Sequence, residues 1–344
     1  MSIADEQRVS ASGATTAQSA SQPGAYSPQV IRKLNALTSD FYAREAASFS
    51  ATRQAPWHGW EKAWELITAH DAVQGPFPSH AARVPDDSAG DSGAPLTILD
   101  LGCGNLRFER FLAEHANAPL RITALDNCPD LASPAIGALS AAFPHSPSSY
   151  SAASKTKGGD ASGQGTNLPE KATVDLRALD IVESLLDGTF ADRLPRNSHD
   201  LAVAFGLMHH LPTFALRARV LEGLLGSLRP GGFAVVSFWQ FLNDPRVAAK
   251  AATVTAEGRA THCLPTFQEN DFLLGWQHAE GVYRFCHHTP EDEIDALLAA
   301  IREPSAPSTS GCASAAPPSF REIARFSADG KLVNLNRYLI LQRL

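Results

Sequence analysis

Cysteine is scarce and unpatterned in this 344-residue chain. Cys103, Cys128, Cys263, Cys286 and Cys312 are odd in number and scattered, with no Cys-x-x-Cys pair, which argues against a disulfide framework or a thiolate zinc site and for a reducing compartment. No run approaches the roughly 18 apolar residues of a membrane span, and residues 1–24 carry no apolar signal core, so a cytoplasmic protein without membrane association is expected. Basic excess is missing too. Twenty-nine Lys and Arg against 36 Asp and Glu give a formal charge of −7, which offers no global attraction for DNA or an anionic bilayer and leaves room only for a local basic face. No internal repeat is present.

Hydrophobic residues, 44% of the chain, suffice for one large core. Stretches rich in Ser, Ala, Gly and Pro at 1–26, 144–170 and 303–319, with a milder one near 76–95, bury too little apolar surface to offset their ordering entropy. They are expected to be a disordered tail and flexible insertions. A single domain over 27–344 is expected, with a helical cap (27–75), a core (96–240) and a substrate-side region with terminal strands (241–344).

Between those stretches, short apolar runs at 97–103, 121–126, 174–180, 201–207 and 233–239 alternate with helix-like segments such as 215–229. This alternation predicts a parallel sheet covered on both faces, an α/β fold. Residues 324–343 read as two strands joined by an Asp-Gly turn, an antiparallel edge hairpin.

The sharpest motif is ILDLGCGN (98–105), where a strand ends at Asp100 and runs through Gly102, Cys103 and Gly104 into a helix-like run. Glycines there permit a tight turn and close approach of a ligand to the backbone. Asp126, ending the next strand, is placed to accept hydrogen bonds from ribose hydroxyls. The pair points to an adenosine-type ligand. A dinucleotide site would carry a third glycine, but Leu106 and Arg107 follow Asn105, and Asp100 would repel a pyrophosphate. A cationic ligand with an amino group suits the turn better.

These residues resemble the first motif of class I S-adenosylmethionine-dependent methyltransferases. ALDN (124–127) is similar to that family's acidic second motif, LDIVE (179–183) to its adenine-capping segment, DLAVAFGLMHHLP (200–212) to its fourth-strand motif and LRPGGFAVVSF (228–238) to its Arg-Pro-Gly-Gly turn. The resemblance implies a Rossmann-like doubly wound, mostly parallel seven-stranded sheet and S-adenosylmethionine as cofactor. It implies a cofactor set of Asp100, Gly102, Cys103, Gly104, Asp126, Asn127, Asp180, Ile181, Phe205 and Gly206. Leu106 departs from the pattern where many members have glycine, and is expected to narrow the methionine end of the pocket.

The flanks FYAREAASFSATRQAPWHGW (41–60), MHHLP (208–212) and LNRYLIL (335–341) are similar to the tRNA wobble-uridine carboxymethyl methyltransferases. That narrower resemblance maps Phe49, Ser50, Thr52, Arg53 and Trp57 onto the segment before the cofactor domain, and His209 and His210 onto the pair after the fourth strand. It implies a tRNA acceptor. The sequence shows no Lys/Arg-rich strip of the kind a protein gripping tRNA alone would have, so a small partner protein is expected to supply that basic surface.

Arg53, Trp57, Arg337 and Tyr338 are the substrate candidates, and His209 and His210 the candidates for positioning or general-base catalysis. Each has a plainer reading: Arg53 as a cation–π partner, Tyr338 as sheet packing, at least one histidine as a hydrogen-bonded core residue. Trp60 and Trp64 read as a helix face on the core. His287 and His288 point to opposite faces of a strand, which argues against a metal site; no metal is expected. The acidic run after them reads as a helix capped by Thr289. Rival functions are methylation of a small metabolite and cofactor binding without catalysis.

Overall fold

A computed structural model describes residues 26–74, 94–132, 172–276, 279–303 and 318–344. The tail and insertions expected at 1–26, 76–95, 144–170 and 303–319 lie outside these residues save for their ends.

The chain opens with α1 (Pro28–Ala51), whose start is set by Pro28 in the first turn and by Ser27, which accepts a hydrogen bond from the Val30 amide. Ile31, Leu34, Thr38 and Phe41 recur at three and four residues and are buried. Helix α2 (His58–Gln74) follows. The parallel strands are β1 (Leu96–Leu101), β2 (Leu120–Asp126), β3 (Ala172–Ala178), β4 (His199–Ala204) and β5 (Leu228–Trp239). They are joined by α3 (Arg107–His115), α4 (Ile181–Leu186), α5 (Phe190–Arg193) and α6 (Phe214–Ser227). Then come α7 (Pro245–His262), a small hairpin of β6 (Asp271–Leu274) and β7 (Arg284–His287), α8 (Glu291–Arg302), β8 (Phe320–Ala328) and β9 (Asn336–Arg343).

The sheet has seven strands in the order β3-β2-β1-β4-β5-β9-β8. Strands β3 to β5 are parallel, and only β9 runs against its neighbours. This is the doubly wound α/β sheet with a terminal hairpin that the alternation predicts. Strand residues alternate between two cores. Ile98, Leu201, Val203, Val235 and Tyr338 pack with α2 and α3, whereas Leu99, Leu101, Ala202, Val236 and Leu339 pack with α4, α6 and α8. The hairpin turn keeps the expected Asp329-Gly330, both at positive φ, but extends to Leu335.

Three details differ from expectation. Arg229, Pro230, Gly231 and Gly232 form the irregular start of β5 rather than a turn before it. Helix α8 begins after Pro290 without a side-chain cap, and the Thr289 hydroxyl has no partner among the described residues. The β6–β7 hairpin has no counterpart in the predicted elements, because runs of four residues are too short to show a period.

Candidate functional site

In a doubly wound sheet, ligands lodge beyond the carboxyl ends of the strands, where the strand order reverses. Here the reversal lies between β1 and β4, and a cavity of about 540 Å³ opens there. Asp100 and Gly102 from the end of β1, Asp126 and Asn127 from β2, Asp180 and Ile181 after β3, and Phe205 and Gly206 after β4 all line it.

The glycine turn is held open by its own backbone. Gly102 and Gly104 have φ of 76° and 56°, and the Asp126 carboxylate accepts from the Gly104 amide (2.9 Å) and the Cys128 amide (2.8 Å). Burial pushes the Asp126 carboxyl above the usual range, against the pull of those amides. Its oxygens keep lone pairs for further donors. Asp180 caps α4 by accepting from the Glu183 amide and is gripped by the Asn35 amide group at 2.9 and 3.1 Å. Helix α1 is thereby tied across the cavity, a tie reinforced by the Arg32–Glu183 pair. Asn127 donates to the Ser39 hydroxyl at 3.0 Å.

Asp100 and Glu109 form a buried acid pair behind the turn. Asp100 Oδ1 and both Glu109 oxygens lack hydrogen-bond partners among the described residues. Burial, then the neighbouring carboxyl, raises Asp100 well above its ordinary range, and burial raises Glu109 to about 7. Asp100 lines the cavity and Glu109 stands behind it.

Leu106 does not narrow the pocket. It sits in the left-handed conformation (φ 55°) ahead of α3, and its side chain, 1% exposed, turns into the core. The position demands positive φ, and apolar burial offsets the strain that leucine carries there.

Guanidinium groups line the same cavity. Arg284 at the start of β7 is 5% exposed, its Nε and Nη1 have no partner among the described residues, and its guanidinium lies over Phe41 at 4.4 Å. Arg53 stacks on Phe49 (5.0 Å) and Trp276 (5.3 Å) without a carboxylate partner among the described residues. Burial, then Arg284, lowers its pKa. A buried guanidinium and a half-buried one beside it, both without a carboxylate partner among the described residues, call for an anion.

His209 and His210 lie beside these arginines in the 3₁₀ turn at Met208–His210. His210 Nδ1 donates to the Phe285 carbonyl (2.8 Å), leaving Nε2 to accept from the Tyr42 hydroxyl (2.9 Å). Burial, then Arg284, pushes His210 down to about 3, and burial with the charges of His210 and Arg284 takes His209 well below its usual range. Both are neutral and feebly basic, which suits positioning rather than proton abstraction. His209 Nδ1 has no partner among the described residues. With Cys286 the two histidines place possible metal-ligand atoms within 4.8 Å of one another, but His210 is engaged at both nitrogens and the adjacent guanidinium opposes a cation.

Of the substrate candidates, Arg53 and Trp57 line the cavity, and Arg337 and Tyr338 do not. Arg337 faces away, paired with Glu291 at 3.0 Å, because successive strand residues alternate sides. Tyr338 is fully buried beneath the cavity floor and donates to Asp329 Oδ2 at 2.7 Å. Trp60 packs in the core as expected and also touches the cavity. Arg284, Tyr42, Asn35, Trp239 and Glu109 were not candidates from sequence. The one signal was Arg284, a charge inside the apolar run Val282–Cys286.

No protein-family model and no curated protein matches this sequence. Among solved structures, it is similar to a SAM-dependent methyltransferase of Methanosarcina mazei at 17% identity, covering 73% of this chain and 93% of that one with a TM-score of 0.43. A S-adenosylmethionine-dependent methyltransferase of Clostridium acetobutylicum is similar at 9% identity, 85% and 94% coverage and a TM-score of 0.43. The N-methyltransferase NodS of Bradyrhizobium japonicum, in complex with S-adenosyl-L-homocysteine, is similar at 14% identity, 73% and 80% coverage and a TM-score of 0.38. Likenesses this distant carry no functional weight, which falls on the chain's own residues.

Proposed function

We propose that this chain is an S-adenosylmethionine-dependent methyltransferase whose acceptor carries an anionic group, with the carboxymethyl group of a tRNA wobble uridine as the acceptor favoured by the flanking motifs. One observation carries the reading: a single cavity is lined both by the carboxyl groups of Asp100, Asp126 and Asp180 and by the guanidinium groups of Arg53 and Arg284, which have no carboxylate partner among the described residues, a set that suits a cationic cofactor together with an anionic acceptor. The bound cofactor would supply a methyl group activated on a sulfonium. Asp126 would hold the ribose hydroxyls through its free lone pairs, and Asp180 with Ile181 would frame the adenine. Asp100, backed by Glu109, would face the amino group, and Gly102 and Gly104 let the backbone approach it. Arg284 and Arg53 would anchor a carboxylate and align it. A carboxylate needs no deprotonation before attack, which agrees with two histidines held neutral, His210 being engaged at both nitrogens.

The test is transfer of labelled methyl into RNA, protein and small-molecule fractions of an extract from cells lacking this gene, alongside S-adenosylhomocysteine titration. Asp126→Ala is expected to weaken S-adenosylhomocysteine at least about tenfold, the scale of losing an acceptor that carries charge. Arg284→Met, checked for folding by thermal unfolding, is expected to retain that binding and lose transfer. Label in tRNA supports the finer reading. Label confined to small molecules overturns the tRNA acceptor and keeps the enzyme class, and binding without label in any fraction favours a cofactor-binding protein without catalysis.

A further inference from the structure

A second cavity of about 810 Å³ adjoins the first and shares Arg53, Trp239 and Arg284 with it as a common wall. Its other side is α7, where Arg246 and Lys250, one helical turn and so about 6 Å apart along the axis, present exposed side chains. Trp276 and Tyr283 add aromatic surface. Four cations thus line this space against two acids, Glu257 and Glu280, and no ion pair joins any of the six among the described residues. In a chain of net charge −7 this is a local basic island, and Arg284 within it is a buried guanidinium with unpartnered donors.

Flat aromatic faces interleaved with unpaired cations suit a ligand that alternates planar rings with anions, which describes a nucleotide better than an acidic peptide. We propose that the second cavity takes the nucleotide next to the methyl acceptor in an RNA strand, its phosphate on Arg246 and Lys250 and its base against Trp239, Trp276 and Tyr283. The inference rests on the reading of the first cavity as the site of methyl transfer. It assigns the recognition of the acceptor's neighbour to α7 and the β6–β7 hairpin, outside the cofactor machinery.

The experiment uses the full chain and a fluorescein-labelled five-residue oligouridylate, titrated at several salt concentrations, with heptaglutamate as a polyanion lacking planar faces. Saturable oligouridylate binding is expected, at least tenfold tighter than heptaglutamate. The Arg246→Ala/Lys250→Ala variant is expected to flatten the slope of log affinity against log salt by about 0.7 for each side chain removed. Equal affinity for heptaglutamate, an unchanged salt slope in the double variant, or no oligouridylate binding each overturns the proposal. S-adenosylhomocysteine titrated into the same samples reads the first cavity separately. Its failure to bind the unsubstituted protein would sink the methyltransferase reading, while the oligouridylate data judge the second cavity by themselves.

Discussion

Glu109 shows how a single buried residue sets a pH dependence. Its folded-state pKa of about 7 lies above the ordinary carboxyl value of 4.5, so between those pH values the folded chain holds a proton that the unfolded chain has released. Stability therefore falls as pH rises from about 4.5 to 7 and levels off above, where the carboxylate is charged and buried beside Asp100. Glu109→Gln removes this penalty. It is expected to raise the denaturation midpoint above pH 7 and to change it little near pH 4.5, as chemical denaturation at both pH values would read. Equal shifts at the two values would overturn the account. Leu106 is the complementary case, in which a leucine stands in a conformation suited to glycine because its side chain is needed in the core.

At the scale of elements, α2 meets the sheet through Gly59. A Cβ built there would lie 2.1 Å from the Tyr338 ring, so the helix can approach β9 only without a side chain. The contact also orders the hairpin turn: Asp329 accepts from the Gly59 amide (3.2 Å), the Asn336 amide group (2.8 Å) and the Tyr338 hydroxyl. Gly59→Ala would gain about 1 kcal/mol of helix propensity. The clash against a fully buried ring costs about 1–3 kcal/mol or more, and the propensity gain does not recover it. A net loss of stability is expected by thermal unfolding, and an unchanged or raised midpoint would show that the helix can shift away freely.

Local signals made the glycine-turn side of the cavity legible in the sequence. Gly102, Gly104, Asp126 and Asp180 each sit at the end of a strand that could be read from its own apolar run, and the fold places all four around one cavity. The wall around Arg284 was not legible. Arg284, Trp239 and Tyr42 come from β7, the end of β5 and the middle of α1, and only long-range packing brings them together. Arg337 and Tyr338, both substrate candidates, are neighbours in a strand and so face opposite ways; the alternation alone removes one of them.

Across the whole molecule, a run of buried polar contacts joins distant parts of the chain. Arg217 on α6 pairs with Glu293 on α8 (2.7 Å), Glu293 and Asp271 flank His287 (2.7 and 2.6 Å), and the Tyr26 hydroxyl donates to Asp271 (2.8 Å). Arg217 is 3% exposed, so Arg217→Met leaves a half-buried Glu293 with one partner fewer and the Leu211 carbonyl without its guanidinium donor. The expected cost is about 3–5 kcal/mol in chemical denaturation. A loss under 1 kcal/mol would mean that water replaces the guanidinium.

The place of β9 in the sheet bears on the order of assembly during synthesis. It is later in the sequence than β8 yet lies between β5 and β8, pairing antiparallel with both. A nascent chain that has emerged from the ribosome only as far as β8 therefore has no neighbour to give it. It exposes the open edge of β5, a ready template for another strand. Until residues 336–343 arrive, the growing polypeptide needs shelter from its fellows, which makes β9 the keystone of biogenesis as well as of the finished sheet.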